Sequence, residues 1–245
     1  MISMAAEISI VIPVYNEEGN IRPLVSSLLG VMKAIGKEYE IIFVNDGSTD
    51  SSGQILTEIA NDHNNITIIN FVKNYGLTSA LDAGFKAAAG DFIVTLDADL
   101  QNDPADIPLL LDKTKHFDMV YGWRHDRNDP WIKLLSSKVA NFVRNKLSNE
   151  EVKDSACTLK VFRKDCLNKI KLYRGLHRFL PTLFRMEGFS VTEVKVRHNP
   201  RKSGKSKFNI RNRILGSFID LLVIIWMKKR LLNYKTMTSS EISDK

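Results

Sequence analysis

The sequence predicts an α/β fold: a mostly parallel sheet flanked by helices, with an amphipathic helical segment towards the C-terminus. Three observations carry this. Along residues 7–121, short Ile/Val-rich runs alternate with stretches of helix length, the arrangement that builds βαβ units with right-handed crossovers. Polar clusters close the apolar runs, as expected where buried parallel strands end at one edge of a sheet. The composition, 44% hydrophobic and 26% charged over 245 residues, is that of a folded chain able to bury a large core.

Residues 7–14 read as the first strand, closed by Pro13 and Tyr15-Asn16. Glu17 and Glu18 open a helix to Ile35, their charges suiting the positive end of its dipole. Residues 39–44 form the second strand, 45–50 a polar turn and helix cap, and a second helix runs to Asp62. Residues 65–71 are the third strand, Lys73-Asn74-Tyr75-Gly76 a loop at its end, and an Ala-rich helix continues to Ala89. The β-branched run 91–96, bounded by Gly90, is a buried fourth strand. Asp103-Pro104 starts a helix, and 117–121 is the fifth strand. Beyond residue 122 the pattern loosens into an amphipathic helix over 129–147, a strand over 158–163, a helix over 176–186, an alternating strand over 190–196 and a Gly/Ser/Lys loop over 200–208.

The net charge is +7, but residues 197–235 hold eleven Lys/Arg against one acid, while the other 206 residues sum to −3. This places phosphates or an anionic surface at the C-terminal end. The first β-to-α turn is Pro13-Val14-Tyr15-Asn16-Glu17-Glu18, without the Gly-x-Gly-x-x-Gly of a dinucleotide site, and no Walker sequence occurs. Cys157 and Cys166 have no metal-type spacing and no secretory signal precedes them, so reduced thiols in the cytosol are expected. No run approaches the roughly 20 apolar residues of a membrane span.

Asp97-Ala98-Asp99-Leu100-Gln101 follows the fourth strand. Two carboxylates and an amide oxygen at alternate positions are hard ligands suited to Mg²⁺ or Mn²⁺ carrying phosphate oxygens. Taken alone, the stretch reads equally well as an acidic loop in water. Two further strand ends carry matching polar groups, Pro13 to Glu17 and Val44-Asn45-Asp46-Gly47-Ser48.

Together these motifs resemble the donor site of family 2 glycosyltransferases with the Rossmann-like GT-A fold, over residues 7–232. Gly122-Trp123-Arg124, residues 154–160 and residues 201–207 resemble the branch that uses polyprenyl phosphates. The resemblance implies a catalytic domain over 1–207, a basic membrane-interface helix over 208–235 and a disordered tail over 236–245. It implies that Pro13, Tyr15, Glu17 and Asp46 hold the nucleoside, that Asp97 and Ala98 lie near the ribose, and that Asp99 and Gln101 hold the metal. Asp46 reads equally as a helix cap, and Tyr15 as a packed loop residue. Arg201, Lys205 and Lys207 lie on a Gly/Ser-containing loop able to close over a diphosphate; the alternative is a solvated basic loop.

A phosphate acceptor is already anionic and needs a cationic seat in place of a general base. Arg124 fits that role. The family uses a basic residue and a serine one helical turn apart on the next helix, and Lys133 and Ser137 match at i, i+4. Lys133 gives up the bidentate fork of an arginine, and Arg127 is a substitute or a surface charge. Asp154 orients the acceptor loop or caps a turn. Ala156 stands where related sequences carry Gly, a departure that would strain a left-handed backbone. Cys157, His177 and His198 read as structural.

Many relatives end in transmembrane helices, and this chain stops near the point where those would begin. In residues 211–232, Leu215, Phe218, Ile219, Leu222, Ile225 and Trp226 fall on one helical face, with Arg213, Gly216, Ser217 and Asp220 on another and Lys228-Lys229-Arg230 beyond. That pattern suits a helix lying in the headgroup region; packing on the core or on a second copy in a homo-oligomer is the alternative. The expected activity is metal-dependent, inverting transfer from a UDP- or GDP-linked sugar to polyprenyl phosphate, by a peripheral protein on the cytosolic membrane face. Rival readings are a transferase acting on a sugar hydroxyl and a non-catalytic nucleotide-sugar binding subunit. A nucleic-acid binder is disfavoured, since apolar residues and not stacking aromatics interleave the basic stretch.

Overall fold

The computed structural model describes residues 6–125, 152–154, 156–200 and 210–232, with the backbone alone for 210–215 and 217. Its centre is one seven-stranded sheet: β1 (Ile8–Val14), β2 (Tyr39–Asn45), β3 (Ile66–Asn70), β4 (Phe92–Thr95), β5 (Met119–Arg124), β6 (Lys160–Arg163) and β7 (Val191–Val196). The spatial order is β3-β2-β1-β4-β6-β5-β7. The ladders β1·β2, β1·β4, β2·β3 and β5·β7 are parallel, whereas β6 runs antiparallel between β4 and β5. The sheet is mostly parallel, as expected, with one reversed strand, β6, inserted between β4 and β5.

The helices are α1 (Ile21–Ile35), α2 (Ser52–Asp62), α3 (Leu77–Ala87), α4 (Ile107–Lys113), α5 (Lys164–Leu167), α6 (Leu180–Met186) and α7 (Ile210–Lys229). Glu17 and Glu18 precede α1, which starts only after Asn20. Asp103 does open a helix, its side chain accepting from Ala105 N, but the first turn, Pro104–Asp106, is 3₁₀. The stretch expected as one helix over 176–186 is a 3₁₀ turn, Leu176–Phe179, followed by α6. The helix expected over 129–147 lies outside the described residues.

Both faces of the sheet are covered. One core layer joins Ile8, Ile10 and Ile12 of β1 to α1; the other joins Val11, Ile42 and Val44 to Phe85 of α3 and Phe184 of α6. The alternation along β1 sends successive residues to opposite layers, so the strand is apolar on both sides. Ser9 is the exception, fully buried within it. Its hydroxyl donates to Glu40 Oε1 at 2.6 Å and accepts from Gly90 N at 2.8 Å. Buried polar atoms are tolerated when so partnered.

A third, smaller cluster holds α7, where Leu221 and Ile224 pack on Leu176, Phe179 and Leu183. The broad apolar face anticipated in the sequence is not the packed one. Phe218, Ile219, Leu222, Val223 and Trp226 are exposed, and the narrower face beside Asp220 meets the protein. No helix among the described residues is long and apolar enough to cross a membrane.

Ser9→Ala leaves Gly90 N buried without its acceptor and is expected to lower stability by about 1–3 kcal/mol. Urea unfolding followed by circular dichroism checks this.

Candidate active site

The carboxyl ends of β1, β2 and β4 meet at one edge of the sheet, and three loops are laced together there. Asn16 and Glu17 donate their backbone N–H groups to Ser48 Oγ (3.0 Å) and Ser52 Oγ (2.8 Å), and Thr49 N returns a bond to Asn16 Oδ1 at 2.7 Å. Glu17 accepts from Asn20 Nδ2 at 2.6 Å. Asp46 is buried, and its carboxylate accepts from Tyr75 N at 2.7 Å and Gly76 N at 2.9 Å. Asp46 thus joins the end of β2 to the loop after β3 and does not cap α2. Gly47 sits at φ 67° against this loop, and a Cβ there would stand 2.3 Å from the Lys73 carbonyl carbon. Only glycine permits that approach.

β4 ends in Thr95 and buried Leu96, and Asp97 emerges beside Pro13. Ala98 is buried in the core, so only its backbone faces the loop. Asp99 is also buried and accepts from Gln101 N at 3.1 Å. Leu100 adopts φ 61°. Such a conformation is rare for a branched, bulky residue and recurs at functional loops. Here the half-buried Leu100 side chain packs on the core, which holds the turn. Asn199 N donates to Gln101 O at 2.9 Å and Asn102 bridges His198, so the segment after β7 lies along the same loop. Arg197 anchors it through Asp106, with N–Oδ2 2.7 Å and Nε–Oδ1 3.0 Å.

Across β6, the end of β5 presents Arg124. Asp154, which is buried, accepts from Arg124 Nε at 2.6 Å and Nη2 at 2.9 Å, a fork-to-fork pair. Ala156 N donates to Asp154 Oδ1 at 3.2 Å. The carboxylate therefore both orients the arginine and shapes the loop. Ala156 is not among the residues with a left-handed backbone, so its replacement of Gly carries no strain. Trp123 lies between Lys153 and Lys195, whose Nζ atoms are 4.5 and 5.5 Å from the ring centroid.

Lys160 is the residue that sequence reasoning passed over. It pairs in register with Thr95 on one side and Tyr121 on the other. Its side chain is buried, Nζ donating to Cys157 O. Burial pushes its pKa down, against the pull of Asp97 and Asp154. The available signal was a lysine next to the apolar pair Val161-Phe162 in a strand, a position where a buried charge demands a partner. Lys160, Asp97, Thr158, Pro13 and His177 line a small cavity of about 20 Å³. His177 Nδ1 is 2.7 Å from Thr78 Oγ1. Cys157 is buried, which lifts its thiol to about 11 and keeps it protonated.

Burial, and then the charge of Asp99, raise Asp97 from 3.8 to about 6. Two carboxylates on one turn repel, and a divalent cation relieves that repulsion. Among the described residues no group of three or more His, Cys, Asp or Glu forms a metal cluster. The oxygen donors of Asp99 and Gln101, which the resemblance implied as metal ligands, would suit an ion such as Mg²⁺ that takes its other ligands from phosphate and water. Lys133, Ser137, Arg201, Lys205 and Lys207 lie outside the described residues.

Strand-end carboxylates and the neighbouring Arg124–Asp154 pair thus share one edge of a mixed α/β sheet. The chain belongs to glycosyl transferase family 2, whose profile matches residues 9–171, and it is a glycosyltransferase. Among curated relatives, undecaprenyl-phosphate 4-deoxy-4-formamido-L-arabinose transferase of Pectobacterium carotovorum subsp. carotovorum (strain PC1) is 35% identical over 227 residues, 92% of this chain and 69% of the relative. The enzyme of that name from Proteus mirabilis (strain HI4320) is 35% identical over 221 residues, 89% of this chain and 68% of the relative. Glucosyl-3-phosphoglycerate synthase from Mycobacterium tuberculosis, solved with Mn²⁺, UDP and glucosyl-3-phosphoglycerate, superposes with TM-score 0.66 at 17% identity, covering 93% of this chain and 81% of that one. S. aureus TarS 1–349 with UDP-GlcNAc gives TM-score 0.62 at 19% identity, covering 94% and 68%. The fold is the GT-A fold that the resemblance implied.

Asp154→Ala removes the fork-to-fork partner of the Arg124 guanidinium and is expected to lower stability by about 1–3 kcal/mol in chemical unfolding. Because Asp97 is raised to about 6 in the fold, the native state holds its proton more tightly than the unfolded chain. That contribution is complete below about pH 4 and is lost as the pH rises through about 6. In chelator, Asp97→Asn is therefore expected to gain stability relative to the parent as the pH is raised from 4 to 7, read by urea unfolding at each pH.

Proposed function

We propose that this protein transfers a sugar from a UDP- or GDP-linked donor to a polyprenyl phosphate, with inversion at the anomeric carbon and with a divalent cation, as a peripheral protein on the cytosolic membrane face. The observation that carries the reading is the juxtaposition of the Asp97–Asp99 turn with the Arg124–Asp154 pair across one strand. The names of the curated relatives, both undecaprenyl-phosphate sugar transferases, support the acceptor class.

In this reading the laced loops carry the nucleoside against Pro13, Tyr15, Glu17 and Asp46, and Asp97 lies near the ribose. Asp46 acts by fixing the 75–76 backbone as much as by direct contact. Asp99 and Gln101 hold the cation, and Lewis-acid stabilisation of the departing diphosphate is what that ion supplies when bound. An acceptor phosphate oxygen attacks the anomeric carbon while the bond to the donor diphosphate breaks, and the nucleoside diphosphate leaves with the electron pair. No proton has to move, because the nucleophile is already an anion.

Arg124 orients the acceptor phosphate. Its pairing with Asp154 moderates its charge, so that the phosphate is seated without being trapped. Lys133 and Ser137 complete the seat, and Arg201, Lys205 and Lys207 close over the diphosphate. Asn199 supports this last role: it bonds the Gln101 carbonyl two residues before Arg201. The exposed apolar face of α7 and the cations Lys228, Lys229 and Arg230 lie in the headgroup region.

The test is incubation with Mn²⁺, a panel of nucleotide sugars and a short polyprenyl phosphate, with the lipid product identified by mass. Asp99→Asn is expected to lower turnover by at least about 10²-fold while leaving the circular dichroism spectrum unchanged. Product formed only on a sugar hydroxyl would overturn the acceptor assignment.

A further inference from the structure

Apart from Leu109, the large apolar side chains that the described residues leave exposed belong to three segments. One is α7 with the two leucines that follow it. Another is the loop after β3, where Val72 is 91% exposed, and the third is the connection before α6, where Tyr173 is 52% exposed. These segments adjoin. Gly175 N donates to Thr78 Oγ1 at 3.0 Å, tying the connection to the first turn of α3. On its other side Gly175, at φ 88°, leaves no room for a Cβ, which would stand 2.4 Å from Asp220 Oδ2 of α7. Between the connection and α3 lies an open groove of about 290 Å³, walled in part by Phe71, Leu172, Tyr173 and Arg174.

Each segment repeats one chemical device, an exposed aromatic ring with a cation over it. Lys73 Nζ is 5.4 Å from the Tyr75 ring centroid, Lys171 Nζ 5.6 Å from that of Tyr173, and the Arg230 guanidinium 5.8 Å from that of Trp226. An amphipathic ring beside a long cationic stem suits the boundary between acyl chains and anionic headgroups. It suits a second copy poorly, because a two-fold interface sets a patch against itself and would bring like charges together.

We propose that the three segments form one lipid-facing surface, so that the chain meets an anionic bilayer through the loop after β3 and Tyr173 as well as through α7. This rests on the reading that the acceptor is a lipid phosphate. The loop after β3 is the one that Asp46 binds through Tyr75 and Gly76, so the donor edge of the sheet is seated at headgroup depth, where such a phosphate resides.

The experiment is co-sedimentation of the full chain with phosphatidylcholine vesicles with and without phosphatidylglycerol. The parent is expected to bind only the anionic vesicles. The double variant Val72→Glu with Tyr173→Glu is expected to lower the partition coefficient on the order of tenfold or more, since two like charges now meet the leaflet, whereas Leu109→Glu leaves it unchanged. Lys171→Gln with Arg174→Gln, which spares the apolar side chains, is expected to weaken binding in the same direction. Turnover on a short polyprenyl phosphate in detergent is expected to match the parent in Tyr173→Glu alone, which leaves the loop after β3 unaltered. Partitioning like the parent in the double variant, an equal loss in Leu109→Glu, or conversion of a dimer to a monomer without any vesicle binding would each overturn the proposal. Vesicle binding by a protein that makes no lipid-linked sugar would leave this surface standing and remove the acceptor assignment instead.

Discussion

Two carboxylates on one short turn repel each other, and much of the surrounding structure answers that repulsion. Asp97 and Asp99 are held close by a buried strand on one side and by the strained backbone of Leu100 on the other. Lys160, buried in the next strand, supplies a compensating cation to Asp97, and Asp154 beyond it is neutralised by Arg124. Charges of alternating sign thus run across three strand ends in a setting where each is costly without its neighbour. The compensation is incomplete, and the Asp97 carboxyl is held above its ordinary pKa by burial and by the charge of Asp99.

The edge formed by the loops after β1, β2 and β3 is built differently, from hydrogen bonds between loops that have no regular structure of their own. Asn16, with φ 53°, and Gly47, with φ 67°, make the turns that let these loops lie against one another. The side chains of Ser48, Ser52, Asn16 and Asp46 then accept from the backbone N–H groups of Asn16, Glu17, Thr49 and Tyr75. A rigid edge of this kind is pre-organised for a ligand and loses little further entropy when one binds.

The five early strands, their crossovers and the polar groups at their ends were legible because each depends on local pattern: an apolar run, a turn residue, a carboxylate. The placement of β6 was not. Its apolar run looks like any other, and the insertion of a reversed strand between β4 and β5 is decided by long-range pairing. Lys160 and Asp154 were undervalued for the same reason, since each finds its partner on a distant segment. Which side of α7 docks was open in the sequence because the helix is apolar around most of its circumference; Leu221 and Ile224 face the protein, and Phe218, Ile219, Leu222 and Trp226 do not. The breaks at Pro104–Asp106 and Leu176–Phe179 are local tightenings of the backbone that a period of 3.6 does not reveal.

The reversed strand also acts as a ruler. Because β6 alone stands between β4 and β5, and both of these end at the same edge, the strands that lead to Asp99 and Arg124 are two interstrand steps apart, about 9–10 Å. Inserting or deleting a strand would change that separation by a whole step of about 4.8 Å, so the spacing of the two strand ends in this architecture comes in fixed increments, and loops are left to adjust only the remainder.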